Sequence, residues 1–312
     1  MLPLLRPLTR PLPLISLSTG SLLIAASLSS STRTTHPQSL IMSSSSPTQS
    51  WPTRAYTPRH KQWPYTESDF TRIDSSPDGN FYSTPRFVTH IDDAAIATLK
   101  EYYAADLPRK GKILDFCSSW ISHYPPDVEE AVARGELKVI GAGMNNAELS
   151  ANKILVDGGY ILQDLNQNPD LASTLWGKKL VSDSDFLDAS TNVVSTDYLT
   201  KPLEVLRSLL AITRPSGTIH LVISNRCFPT KAVGRWLRVS EAERLEMIGD
   251  YLHFAGWEGI EIVELSGGKV EQGDQGQSGG LAGVMGWMGM SGRRDPLWVV
   301  RAVKGGGEDG KA

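Results

Sequence analysis

From residue 112 to residue 303, short apolar runs alternate with longer stretches whose apolar side chains recur at helical spacing. That alternation constrains the fold more than any other feature of the chain. Residues 112–116, 137–141, 160–163, 192–195, 218–224, 258–265 and 296–303 read as strands, and 91–104, 127–134, 147–156, 202–213 and 240–255 as helices. The helix ends are punctuated: Asn145 or Asn146 stands as a cap before one, with Gly158 beyond its far end. Pro202 occupies a first turn, with Glu204 near its start and Arg214 near its end, and Ser240 with Glu243 has the spacing of a capping box. Strands joined through helices pair in parallel by right-handed crossovers, with helices on both faces. No helical pattern separates the last two strands, so they can pair antiparallel. The predicted fold is α/β: a Rossmann-like, seven-stranded, mostly parallel sheet with an antiparallel last strand.

The rest of the chain divides by composition. Residues 1–50 contain Arg6, Arg10 and Arg33 but no acid, the first being Glu67. An acid-free, Arg- and Ser-rich leader resembles a transit peptide. It points to the mitochondrion first, with plastid or cytoplasm as alternatives. The apolar patch 22–26 also fits a secretory core, which the absence of any Asn-x-Ser/Thr acceptor argues against. It is too short to span a membrane. Residues 51–90 read as an extended N-terminal segment, 91–304 as the domain, 266–295 as a flexible insertion within it, and 305–312 as a disordered tail. Cys117 and Cys227 are the two cysteines, too few for a disulfide framework and without the spacing of a metal site, so no metal is expected. A net charge of -3 gives no strong nucleic-acid signal.

The ligand is sought at the run ILDFCSSWISHYP, residues 113–125. An apolar strand ends there in Asp115, a turn of small residues, Trp120 and His123. In doubly wound sheets, ligands sit outside the carboxyl ends of the strands. A dinucleotide site would show GxGxxG at this turn, where the chain has Cys117 and Ser119, and no phosphate-binding GxxxxGK[ST] occurs. Neither a nicotinamide cofactor nor ATP is expected.

Five segments in order carry a resemblance: ILDFCSS (113–119), VIGAGMN (139–145), LQDLN (162–166), FLDASTNVVSTDYLTKP (186–202) and LLAITRPSGTIHLVIS (209–224). Over residues 86–304 the chain resembles the class I S-adenosylmethionine-dependent methyltransferases, in particular the type 11 methyltransferase-like group. The resemblance implies S-adenosyl-L-methionine as cofactor and a methyl acceptor, small or macromolecular, that the sequence does not name. It would put Asp115 near the methionine ammonium and wrap Cys117, Ser118 and Ser119 around the methionine. Asp164 would accept from the adenine amino group, Leu165 would lie against the ring, and Ser195 to Tyr198 would form the wall towards the acceptor. The family usually ends its second strand in an acid that binds the ribose. Here that position is Gly143, with Asn145 as an uncharged substitute or Met144 packed on the adenine.

Candidates for a general base are His123, Asp197 and Tyr198. Each also has a structural reading: a histidine bonded to loop backbone, a cap on the turn before Pro202, and a core aromatic. Trp120 reads as a cofactor-facing or core-shielding aromatic, His220 as core, and His90 as a helix start or a cofactor cover. Residues 225–239, with Arg226, Lys231, Arg235 and Arg238, read as a lid or acidic-acceptor pocket, or as an amphipathic helix with a solvated basic face. Met285, Trp287, Met288 and Met290 read as an apolar contact or a linker. An alternative to the enzyme is a catalytically weak or inactive relative serving as an assembly or interaction factor.

Overall fold

The computed structural model describes residues 51–155, 159–266 and 295–306. The leader at 1–50, Val156 and Gly158, the Met- and Trp-bearing stretch and the last six residues of the tail lie outside the described residues. In chain order the elements are β1 Thr53–Ala55, α1 Asp78–Phe81, α2 Asp93–Asp106, β2 Gly111–Phe116, α3 Pro126–Ala133, β3 Leu137–Gly143, α4 Asn146–Ala151 and β4 Tyr160–Leu162. They continue as α5 Leu171–Gly177, β5 Leu187–Val193, α6 Pro202–Ile212, β6 Thr213–Ser224, α7 Gly234–Arg238, α8 Glu241–Ala255, β7 Glu258–Ser266 and β8 Leu297–Val303.

All eight strands form one sheet in the order β1-β7-β8-β6-β5-β2-β3-β4. β2 pairs in parallel with β3 on one side and β5 on the other, so the strand order reverses direction there. A crevice opens at such a switch point, outside the carboxyl ends. β8 is the reversed strand and pairs antiparallel with both β6 and β7. The expected seven-stranded sheet is Rossmann-like as predicted, with one addition: β1 from the N-terminal segment pairs antiparallel with β7. Its three residues are exposed and show no apolar alternation, so the sequence carried no strand signal there. A short edge strand bearing Arg54 also blunts the sheet edge against further pairing.

Successive side chains of a strand point to opposite faces, and the core divides accordingly. Ile113 and Val139 pack with α2 and α3 through Leu99, Tyr103 and Val128. Leu114, Phe116 and Ile140 pack on the other face with α5, α6 and α8 through Leu175, Leu206 and Ile248. β5 begins at Leu187, earlier than the expected 192–195, and its Ser190, Thr191 and Asn192 are fully buried. The polar run hid a central strand. Two of these side chains are bonded: Thr191 to Tyr124 at 2.7 Å, and Asn192 donating to the Phe116 carbonyl at 3.0 Å and accepting from Thr196 at 2.8 Å. β6 likewise begins at Thr213 and contains the Pro215–Gly217 bend, with Ser216 at φ 61°.

Helix α4 is shorter than expected. Asn145 caps it, and a 3-10 turn at Lys153–Leu155 follows. At α8 the Ser240 hydroxyl accepts from the Glu243 N–H, one half of the expected box. The stretch 225–239 is not a solvated basic helix. Only Gly234–Arg238 is helical, and Lys231 is fully buried against Asp74, Asp78 and the Ser76 carbonyl. Arg235 faces Asp69 and Glu243, Arg238 faces Asp69, and Arg226 is paired with Asp295. Those cations are matched by acids, which removes the reading of this stretch as an open pocket for an acidic acceptor.

The N-terminal segment is tied down at two places. Asp250 on α8, completely buried, accepts from Tyr56 and Tyr65 at 2.5 Å each and from Arg59 at 2.7 Å. Further along, Asp78 accepts from Arg72 and Asn166 at 2.8 Å. The second tie holds residues 78–90 over the carboxyl ends of the strands.

Candidate active site

Asp115 shares the strand face of Ile113, so its carboxylate points towards Tyr103 and Tyr124 rather than into the crevice. Three hydroxyls surround it. Ser118 and Ser122 donate to Oδ2 at 2.6 and 2.7 Å, and Thr191 to Oδ1 at 3.3 Å. Burial pushes its pKa up to about 6, with the hydroxyls pulling it back. Asp115 therefore shapes the turn behind it. Cys117 adopts φ 55° there, and the Ser118 N–H donates to the Ala142 carbonyl at 2.8 Å, binding the turn to the tip of β3.

That close approach decides what can stand at position 143. A Cβ on Gly143 would lie 2.3 Å from the Ser118 carbonyl oxygen. The backbone contact excludes every side chain, including the ribose-binding acid that the resemblance leads one to look for. Asn145 does not take over as a free amide: its Oδ1 accepts from the Ala147 and Glu148 N–H groups at 2.9 and 3.2 Å, and its Nδ2 donates to the Tyr82 carbonyl at 2.8 Å. Instead a carboxylate arrives from the first turn of α4. Glu148 lines the crevice and accepts the Arg86 N–H at 2.7 Å. The sequence reading passed over Glu148 because an acid three residues after a capping Asn reads as a complement to the helix dipole.

At the tip of β4, Asp164 accepts from the Asn166 N–H at 2.9 Å and the Gln167 side chain at 2.8 Å, and Leu165 is buried beneath it. At the tip of β5, Val194 adopts φ 42°, a left-handed conformation that β-branched residues rarely take, and Ser195 donates to the Val193 carbonyl at 2.9 Å. The Tyr198 hydroxyl accepts the Phe228 N–H at 2.8 Å, fixing the start of the loop after β6.

These tips and the overlying segment enclose a cavity of about 350 Å³. It is lined by Cys117, Ser118, Ser119, Gly143, Met144, Asn145, Glu148, Asp164, Leu165, Ser195, Tyr198 and Phe228, with Asp78, Tyr82, Arg86 and His90 above. A smaller cavity of about 60 Å³ adjoins it, sharing Ser118, Ser119, Val194 and Ser195 as a wall. Asp115 and His123 line the smaller cavity. His123 is buried at φ 57°, its Nδ1 has no partner among the described residues, and burial lowers its pKa to about 4.

The structure does not bring Asp197 to either cavity. It is 3% exposed, its Oδ2 has no partner among the described residues, and burial raises its pKa to about 8. Its backbone carbonyl, accepting from Val233 at 2.9 Å, is the part that holds the loop. Trp120 donates to the Val88 carbonyl at 3.0 Å and so fastens the overlying segment. His220 is core, its ring bonded to Tyr102 and Thr218. Burial pushes the Cys117 and Cys227 thiols up to about 12 and about 11, which keeps both protonated at neutral pH. Among the described residues no group of three His, Cys, Asp or Glu is placed to hold a metal ion, and no described helix is long and apolar enough to cross a membrane.

No family model matches the chain, and no curated protein does. Solved structures similar to it include a SAM dependent methyltransferase from Archaeoglobus fulgidus, 14% identical, covering 68% of this chain and 94% of that one with a TM-score of 0.43. They also include Haemonchus contortus phosphoethanolamine N-methyltransferase 2 in complex with S-adenosyl-L-methionine, 14% identical, covering 69% and 53% with a TM-score of 0.41. A third is the [4+2]-cyclase SpnF, 14% identical, covering 73% and 92% with a TM-score of 0.44.

Proposed function

We propose that the chain is an S-adenosylmethionine-dependent methyltransferase. The observation that carries the reading is the cavity itself. Segments from four neighbouring strand tips, around Cys117, Gly143, Asp164 and Ser195, line one hollow at the switch point of the sheet. Its volume of about 350 Å³ falls within the roughly 300–1,000 Å³ of pockets for molecules of this size. Its donor set suits a guest with hydroxyls, an ammonium, a carboxylate and an adenine but no phosphate. Glu148 and Asp164 are acceptors, Ser119 and Ser195 bring hydroxyls, and bare backbone at Gly143 permits close approach.

In this reading Leu165 lies against the adenine, Asp164 accepts from its amino group and Glu148 accepts from the ribose. The turn at Cys117–Ser119 wraps the methionine, with Asp115 holding that turn from behind. The cofactor, when bound, supplies an electrophilic methyl group on a sulfonium. The protein's task is then to align an acceptor with that methyl and to exclude water. Tyr82, Tyr198 and Phe228 wall the side towards β6. Where the acceptor must lose a proton, His123 in the adjoining cavity is an uncharged imidazole with a free ring nitrogen, a weak base with its pKa lowered to about 4, whereas Asp197 keeps its proton.

Calorimetric titration with S-adenosylmethionine and S-adenosylhomocysteine tests the reading, with saturable binding expected for both. No binding at about 1 mM, equivalent to a free energy weaker than about 4 kcal/mol, would end it. The displacement of the ribose acid from Gly143 to Glu148 favours a second reading, a protein that keeps the cofactor and does not turn over. Binding of both compounds, without methyl transfer from labelled cofactor to any cell-extract fraction, would select it.

A further inference from the structure

Arg86 differs from the other cations around the large cavity. Its guanidinium lies 4.4 Å from the centre of the Phe81 ring and 5.7 Å from that of Phe228, and it lines the cavity. Its side chain has no hydrogen-bonding or ion-pair partner among the described residues. The acids lining the same cavity make no ion pair with it. Asp78 is held by Arg72, Lys231 and Asn166, Asp164 by Asn166 and Gln167, and Glu148 by the backbone of Arg86 itself. A guanidinium stacked on aromatic rings is held in place while its in-plane donors stay unused. Its position matters as much. The Arg86 backbone is bonded to Glu148 on the β3 side, but Phe228 follows β6 and packs against Tyr198 and His90, so the guanidinium reaches towards the β5–β6 side of the cavity.

We propose that Arg86 anchors an anionic group of the methyl acceptor, and that the acceptor is a small molecule with an apolar, planar body bearing a carboxylate or a phosphate. The aromatic walls Phe81, Tyr82, Tyr198 and Phe228 take the body, and the guanidinium fork takes two oxygens of the anion side by side. The assignment of the acceptor half rests on the methyltransferase reading; the anion site itself does not.

The experiment titrates benzoate, phenyl phosphate and the neutral benzamide into the protein saturated with S-adenosylhomocysteine, followed by ligand-observed NMR. Wild type, Arg86→Met and Arg86→Lys are compared after their melting temperatures are matched. Benzoate or phenyl phosphate is expected to bind at least about 10-fold more tightly than benzamide. Whichever of the two binds better assigns the anion as carboxylate or phosphate. Arg86→Met is expected to remove that preference, with Arg86→Lys keeping part of it because an ammonium supplies the charge without the fork. S-adenosylhomocysteine affinity is expected to stay within about twofold in both variants. The proposal is overturned if neither anion binds wild type at about 20 mM, or if Arg86→Met keeps the preference. It is equally overturned if Arg86→Met weakens S-adenosylhomocysteine and spares the probes, because Arg86 then holds the cofactor's own carboxylate. Failure of wild type to bind S-adenosylhomocysteine at all sinks the methyltransferase reading separately, and the three probes are then read on the free protein.

Discussion

Two charged clusters lie along the N-terminal segment, and they are built on opposite principles. At Asp250 the buried carboxylate is fully matched: two tyrosine hydroxyls and one guanidinium converge on it, and the rings of Trp63, Phe70 and Tyr251 seal the hydroxyl side. Around the crevice, matching is incomplete. Arg86 has rings but no acceptor, the His123 Nδ1 has no partner, and Val194 and Cys117 hold left-handed backbone. A cation that lines a cavity without an acceptor, with left-handed backbone nearby, marks where a guest can complete the set. The same thirty-odd residues thus begin as a fastening and end as a roof.

The largest effect is expected where matching is complete. Asp250→Ala leaves two buried hydroxyls without their acceptor, while Arg59 keeps Glu243, and a buried donor left unsatisfied costs about 1–3 kcal/mol. Urea unfolding should show a midpoint shift of that size with loss of β1 protection in hydrogen exchange. A shift below about 1 kcal/mol would mean that the aromatic packing alone holds the segment.

Asp197 supplies the next test, by pH. Its carboxyl ordinarily titrates near 3.8 in the unfolded chain and is raised to about 8 in the fold, so the folded state binds the proton more tightly. Its contribution to stability is present in full below the unfolded value and is lost as pH rises towards and through about 8. Asp197→Asn cannot ionise. Relative to wild type, the variant should gain stability from about pH 4 to about pH 8 and level off above it, a trend in which the lowered histidines His123 and His220 cancel between the two proteins. Parallel stability–pH curves would show that Asp197 ionises freely.

The architecture was legible in the sequence because it rests on period and punctuation: Leu203, Leu206 and Leu209 along α6, the Pro at its start and the apolar runs of β2 and β6 state their partners plainly. β5 was half hidden, since the polar run Ser190, Thr191 and Asn192 looks like a loop until its full burial and the cross-sheet bonds of Thr191 and Asn192 are seen. The strand-tip residues were also legible, because turns at carboxyl ends lie where motif order puts them. Side-chain direction was not. That Asp115 turns away from the large cavity follows from strand parity together with the positions of Ser118 and Ser122. Arg86 and Glu148 come together through a backbone-to-carboxylate contact across 62 residues, which no local pattern encodes.

The smallest expected effect tests whether the strain beside the crevice is real. Cys117 at φ 55° occupies a conformation that costs an L-residue roughly 1–2 kcal/mol and costs glycine nothing. Glycine gives back about 0.5–1 kcal/mol through its freer unfolded chain, and the packing of the thiol is lost as well. Cys117→Gly should therefore change stability by less than about 1 kcal/mol in either direction, although it empties a half-buried site. Cys117→Val fills the same space but puts a β-branched residue into the left-handed region, and should lose at least about 1–2 kcal/mol. Size alone would rank the two variants the other way, with valine the milder change. If chemical denaturation gives that ranking, the turn relaxes in solution, and its backbone is no more strained than the one around Asp250.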